Sequence, residues 1–531
     1  GFLNDLIGVW TSCFMLLFAL VAVSTLWMHA AVRALEKREH PELCLPKDLP
    51  EVEALKAEVE RLRANRTDVV GLRNPIGVPA EGTPRPRPRP GYTLPLKGTA
   101  MTAGTQTLAP ARPAGGTWIS RWEPENPAFW TKEGSRLAWR TLGVTTANLT
   151  MSFIVWFMVS ALVVALPAVG FKLTTGQLFW LAAMPGLAGG TLRLVHMFLT
   201  PMFGTRHVVT FASLSLLVPA IGWFYAVQDP TTPYWALLVL AFLAGLGGGN
   251  FSSFMPSTSL FFPKRLQGTA LAVQAGVGNF GVSVVQFLTP WVIGFALAGG
   301  TLLGESQTMT KGAIARQVWL HNAAAVYIPF IVLFALAAWI ALRSVPVKAN
   351  VREQMDIFGS RHTWAMTSLY IMTFGAFSGL AGTFPLLIKQ CYGALPGAPD
   401  PLTYAFLGPL VGSLLRVVAG PLSDRFGGGR GTLVARVGMV VCARLAFAGI
   451  GNASTFKQMP MIFQPRQAGG VIGFTGAVAA YGPFAFGMLF GWSFGAFGGP
   501  NVIFYGLSVF FALNVAMNWW MYARRGAATP C

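Results

Sequence analysis

Ten long apolar stretches follow one another between residues 142 and 522, and they leave the backbone little choice of fold. They run near 142–167, 177–199, 208–227, 235–262, 267–297, 321–342, 364–388, 402–420, 469–491 and 501–522. Each approaches or exceeds the about 20 residues that carry a helix across a bilayer. In hydrocarbon every N–H and C=O must be satisfied internally, so stretches of this length fold as helices. Another such stretch, 8–30, precedes them. Only 11% of the 531 residues are Asp, Glu, Lys or Arg, against about 25% in soluble domains. The expected fold class is an all-α polytopic membrane protein.

The net charge of +19 would suggest nucleic acid in a soluble chain. Here it sits in the connections 204–207, 264–265, 343–362 and 425–430, at Arg466 and in the tail at Arg524–Arg525. The connections 228–234 and 391–401 carry almost none, and 299–320, with Lys311 and Arg316, is a mild exception. Basic loops stay in the cytoplasm, which places both ends of the main body there and removes the need for a nucleic-acid partner. Residues 1–35 hold the first span, and its basic exit RALEKR runs over 33–38. Residues 36–121 differ in kind, with a short charged helix expected at Glu51–Arg63 and extended polyproline at Pro84–Pro90. They read as a cytoplasmic linker, with contact to acidic lipid as the alternative. The chain starts at Gly1 without a signal peptide, which leads to the expectation of a fragment or processed product. Cys13, Cys44, Cys391, Cys442 and Cys531 are scattered and form no CxxC, which argues against a disulfide framework or a zinc site.

The main body repeats itself. Gly189-x3-Arg193-x10-Gly204 matches Gly412-x3-Arg416-x10-Gly427, and GGGNFSSF at 247–254 matches GIGNASTF at 449–456. Phe261-x-Pro263-Lys264 likewise matches Phe463-x-Pro465-Arg466. Parallel repeats of this kind build transporters from two similar six-helix bundles. Arg193 and Arg416 are 223 positions apart, but Asn250 and Asn452 only 202, so the second half is 21 residues short between these landmarks. About one helix is therefore expected to be missing near 430–448, and 432–463 receives no span. The expected organisation is a bundle at 122–342, a cytoplasmic central loop at 343–363 and an incomplete bundle at 364–531.

Small residues recur at Ala241, Gly245, Gly249, Ser253 and Ser257, on one helix face, where they let a neighbouring backbone approach. Gly276, Gly278 and Gly281 crowd around Asn279 in the next span. Arg193 and Arg416 are the sharpest signals: each lies mid-span at the matching place of its repeat, and no span contains an Asp or Glu to neutralise it. An ionisable residue inside a span marks a functional site. The plainer alternative is an arginine paired with backbone carbonyls at a helix end. Two guanidinium forks at the midplane suit a planar oxyanion or carboxylate and exclude a cation. The missing carboxylates also remove the usual proton carrier, leaving His196, which reads more simply as a packing residue. Asn250, Asn279 and Asn452 could orient a polar anion or join helices. Tyr370 and Phe374 are one turn apart, a spacing usual in a core, though the Tyr hydroxyl could reach the anion. Gly276-Val-Gly-Asn-Phe-Gly281 formally fits GxGxxG but lies inside a span, so the dinucleotide reading fails. There is no HExxH, Walker loop or GxSxG, and no enzyme, metal or cofactor is expected.

Gly420-Pro-Leu-Ser-Asp424-Arg425-Phe-Gly resembles the cytoplasmic loop motif of the major facilitator superfamily, in which Asp424 and Arg425 would latch helix ends; TPMFGTRH at 200–207 is a degenerate partner. GLGGGNFSSFMPSTSLFFPK with AGVGNFGVSVVQ, and GFTGAVAAYGPF at 473–484, resemble the two signature regions of the NarK-type nitrate/nitrite porters. The resemblance covers about 122–531. It implies two six-helix bundles related by pseudo-symmetry, with Arg193 and Arg416 binding the anion. Asn279 and Tyr370 would bond its oxygens, Phe251 and Phe374 would sandwich it, and Gly276, Gly278, Gly281, Gly473 and Gly476 would be signature glycines. Residues 1–35 resemble the last helix of another porter unit, as in tandem fusions. The implied protein sits in the cytoplasmic (inner) membrane and moves nitrate and nitrite, by antiport, in nitrate assimilation. Proton-coupled nitrate symport is one alternative; an anion sensor or inactive fragment is another. Lipid is the expected surrounding, with no obligate protein partner.

Overall fold

The computed structural model describes residues 118–297, 304–311, 314–345, 355–395, 398, 400–426, 444–463, 465–524 and 527. The first span at 8–30 and nearly all of the linker lie outside these residues. Six helices make the first half: α1 (Pro127–Leu162), α2 (Thr175–Phe203), α3 (Thr205–Ala226), α4 (Tyr234–Phe261), α5 (Lys264–Val292) and α6 (Asn322–Ala341). The second half has α7 (Arg361–Tyr392), α8 (Leu407–Phe426), α9 (Arg444–Ile462), α10 (Pro465–Ala480), its continuation α11 (Gly482–Phe497), and α12 (Asn501–Asn518). Among the described residues ten helices are long and apolar enough to cross a membrane.

One feature differs from the sequence reading. The unassigned stretch 432–463 contains α9, whose apolar residues are interrupted by Asn452, Ser454, Thr455, Lys457 and Gln458 and so give no clear span signal. Residues 427–443 lie outside the described part, so the helix expected to be missing near 430–448 falls largely outside it. Among the described residues, four of the ten membrane-length apolar helices fall in the second half, with α9 beside them, against six in the first. Within the 299–320 connection, Gln307–Lys311 (β1) pairs antiparallel with Ile314–Val318 (β2), as Thr- and Ile-containing strands favour.

Local chemistry sets the helix ends. Thr174 Oγ1 accepts from Gln177 N while Gln177 Oε1 accepts from Thr174 N, a reciprocal cap that starts α2. Gly204 ends it at φ 79°, and a Cβ there would also collide with Ser344 Oγ. Glu125 Oε1 accepts from Lys264 N at 2.9 Å, placing a carboxylate at the N-terminus of α5.

Small residues fix the helix contacts. The Ala241–Ser257 stripe of α4 faces α2: Gly245 lies against Ala188 and Pro185, and Gly249 against Leu192 and His196. The halves meet where α2 packs on α10 and α11 and where α5 packs on α8. An added Cβ would come within 2.5 Å of Phe484 N at Gly186 and of Val417 Cγ2 at Gly276. Gly278 and Gly281 instead seat α5 on α1, against Leu149 and the Thr150 carbonyl. Thus of the three α5 signature glycines, one serves contact between the halves and two serve contact within one.

Candidate anion site between the halves

Arg193 and Arg416 are both fully buried, and they are the only Lys, Arg, Asp or Glu side chains buried among the described residues. Arg193 comes from α2. Its Nε donates to the Gly248 carbonyl of α4 at 2.8 Å, and its Nη1 to the Gly476 carbonyl of α10 at 2.7 Å. Its Nη2 has no partner. The plainer sequence reading, pairing with carbonyls, holds for two of its nitrogens, but these carbonyls lie mid-span on neighbouring helices. Gly476 thereby acts through its backbone, while Gly473 packs on Met197.

Arg416, on α8, is held by side chains. With the Asn279 amide turned so that its oxygen faces the guanidinium, Asn279 Oδ1 accepts from Nη1 at 3.0 Å and its nitrogen donates to the Ala275 carbonyl. Nη2 donates to Tyr370 Oη at 3.3 Å, and Nε has no partner. The Tyr370 proton is therefore left to donate elsewhere. A π turn, Ile371–Gly375, interrupts α7 directly after Tyr370. Such turns recur at functional sites because they re-aim side chains without ending the helix. Here Tyr370 and Phe374 come out stacked, with centroids 5.3 Å apart.

Aromatic rings floor the site. The Arg193 guanidinium carbon lies 4.4 Å from the Phe251 centroid, 5.0 Å from Phe374 and 5.2 Å from Trp156. That of Arg416 lies 5.3 Å from Phe456 and 5.9 Å from Phe374. Ring faces are electronegative and ease the burial of two cations that no buried carboxylate accompanies among the described residues. Phe251 and Phe374 stack 5.8 Å apart. A planar ion between them needs a gap of about 7 Å, twice a contact distance, so a sandwich requires the rings to part.

The structure thus gathers Arg193, Arg416, Asn279, Tyr370, Phe251 and Phe374 in one place. It does not bring Asn250 there: Nδ2 donates to Ser152 Oγ at 2.9 Å and to the Ala212 carbonyl at 3.2 Å, joining α4 to α1 and α3. His196, one turn from Arg193, pairs with Ser253 Oγ at 3.1 Å. Asp424 and Arg425 close α8, and their side chains lie outside the described residues. Gly248, Phe456 and Trp156 belong to the site and were missed. Phe456 ends the repeated GIGNASTF block and could have been found there; a backbone acceptor such as Gly248 leaves no such mark.

The sequence pattern of the Major Facilitator Superfamily matches residues 149–447. A Thermus thermophilus protein named as a probable nitrate/nitrite antiporter, NarK2, is 60% identical over 443 residues, 79% of this chain and 99% of that protein. The chain belongs to the NarK-type porters of the major facilitator superfamily. NarU of Escherichia coli (strain K12), named a nitrate/nitrite transporter, is 33% identical over 452 residues, 76% of this chain and 96% of that one. Two solved porters share the superfamily fold alone. The D-xylose-proton symporter has TM-score 0.52 at 14% identity, covering 72% of this chain and 97% of its own. XylE bound to 6-bromo-6-deoxy-D-glucose has TM-score 0.52 at 13% identity, covering 75% and 98%. A multi-pass membrane transporter, rather than an enzyme, is what this family membership establishes.

Proposed function

We propose that the protein exchanges nitrate for nitrite across the cytoplasmic membrane by alternating access, with its basic loops in the cytoplasm. One observation carries the reading: two fully buried guanidiniums share the Phe374 ring, each retains an unpaired N–H, and among the described residues no buried carboxylate answers them. Arg193 Nη2, Arg416 Nε and the Tyr370 proton are donors for the oxygens of a small trigonal anion, and the flanking rings suit its flat face. The names of the relatives at 60% and 33% identity agree with this substrate. Exchange follows from charge: an empty pair of cations resists reorientation through a low-dielectric path, and a bound anion offsets part of that charge.

Proteoliposomes loaded with nitrite test it. Internal nitrite should accelerate uptake of labelled nitrate with no pH gradient. Uptake that needs a pH gradient would replace exchange by proton-coupled symport, with His196 as the carrier to examine. Nitrate binding without flux would mean that the shortened second half senses rather than transports.

A further inference from the structure

Beyond the site, at the end opposite the basic loops, a hydrogen bond of a particular kind joins the halves. Gln286, fully buried on α5, donates through Nε2 to the Ala381 carbonyl of α7 at 2.8 Å and to Ser160 Oγ of α1 at 3.2 Å. The Ala381 carbonyl has lost its helical donor, because the residue four positions on is Pro385, which has no N–H. One backbone acceptor of the second half therefore relies on a side chain of the first. Lys389, a turn beyond Pro385, makes the reverse tie: Nζ donates at 2.8 Å to the carbonyl of Val164, at the C-terminus of α1, where helical donors run out. Gln286 follows Asn279 by seven residues, two turns along the same face of α5, or about 10 Å. Toward the basic end the halves meet instead through small and apolar groups, Gly420 against Ala272 and Gly473 against Met197.

We propose that Gln286 and Pro385 form a latch that holds the outer end of the transport path closed. Pro385 strips the Ala381 carbonyl of its donor, Gln286 from the opposite half restores it, and the halves part at this end only by breaking that bond. Gln286 is a positioning residue: it sets which side the site faces and does not touch the anion. In the dry interface the bond is strong, and on opening water takes over both groups. Losing it shifts the resting population outward by about two- to tenfold, the net worth of one such bond.

The inference rests on the alternating-access reading for what opens, but its test reads no transport. Ala182 lines a small cavity at this interface with Ser160, Pro185 and Pro483, and serves as the reporter. In the full chain, with all five cysteines replaced by serine (Cys391 is exposed), Ala182→Cys is labelled in intact cells by a membrane-impermeant thiol reagent. Gln286→Met, matched in length but without a donor, should speed labelling about two- to tenfold. On a Pro385→Ala background, where residue 385 again donates to Ala381, the same change should alter labelling less than about twofold. Gln286→Ala repeats the comparison if the Met variant fails to accumulate. Unchanged labelling in the folded variant, or an effect as large with Pro385→Ala as without it, overturns the latch. Absent nitrate exchange with the labelling pattern intact would remove the substrate reading and leave the latch standing.

Discussion

Arg193 and Arg416 occupy matching positions of the two repeats, yet they are held in different ways. Arg193 is bound to two backbone carbonyls, Gly248 of its own half and Gly476 of the other. Arg416 is bound to two side chains, Asn279 of the other half and Tyr370 of its own. Carbonyls inside helices cannot turn away, whereas an amide and a phenol can. The first half thus offers a fixed post and the second an adjustable jaw. Each arginine also ties the halves together at site level, so an arriving anion competes with both ties and couples binding to their relative movement.

The largest effects should fall on the arginines. Arg193→Lys and Arg416→Lys should each lower nitrate exchange at least about tenfold, because a single ammonium cannot reproduce a two-nitrogen fork. Arg193→Lys should be the worse and should also lower the melting temperature of the purified protein, since one ammonium cannot hold both the Gly248 carbonyl of α4 and the Gly476 carbonyl of α10. Around residue 416, Asn279 and Tyr370 can turn to other partners. Equal losses of exchange and stability in the two variants would end the post-and-jaw contrast; near-normal flux in Arg416→Lys would sink the two-arginine site.

The glycines divide the effects more finely. At Gly281 a Cβ would lie 2.4 Å from the Thr150 carbonyl, a backbone atom within the first half. Gly281→Ala should therefore lower stability by about 1–3 kcal/mol. At Gly276 the Cβ meets Val417 Cγ2 at 2.5 Å across the halves. Gly276→Ala should slow exchange more than it lowers the melting temperature. At Gly473 the nearest atom, Met197 Cβ, lies 2.9 Å from the added Cβ, the longest of the three approaches, and Gly473→Ala should be the mildest of the three. Thermal unfolding and counterflow rates on the same three variants would separate the classes, and a single common ratio of the two effects would erase them.

How far these contrasts could be read from the sequence depended on what kind of group carries them. Two charges inside apolar spans stand out at once, and repeat matching pairs them. Asn279 stood out for the same reason, a polar group in apolar company. The fold was legible because span length and basic loops are set by the bilayer. The partners of Arg193 were not, since a carbonyl is present at every position. Nor was the π turn after Tyr370, because IMTFG has no composition that sets it apart from the helix around it. Helix α9 escaped notice because its inner face is polar.

That polar face provides the smallest test. Asn250 and Asn452 match in the repeat and both are fully buried. The Asn250 amide is paired to α1 and to α3. Both polar atoms of the Asn452 amide lack a partner, and among the described residues the second half offers no counterpart of α3 to supply one. Removing a bonded buried amide strands its partners, whereas removing an unbonded one relieves a buried polar group. Asn250→Leu should accordingly lower stability by about 1–3 kcal/mol. Asn452→Leu should leave the melting temperature unchanged or raise it slightly. A destabilisation at 452 as large as at 250 would mean that the second half does hold a partner for that amide, and with it a fuller copy of the first half than its length suggests.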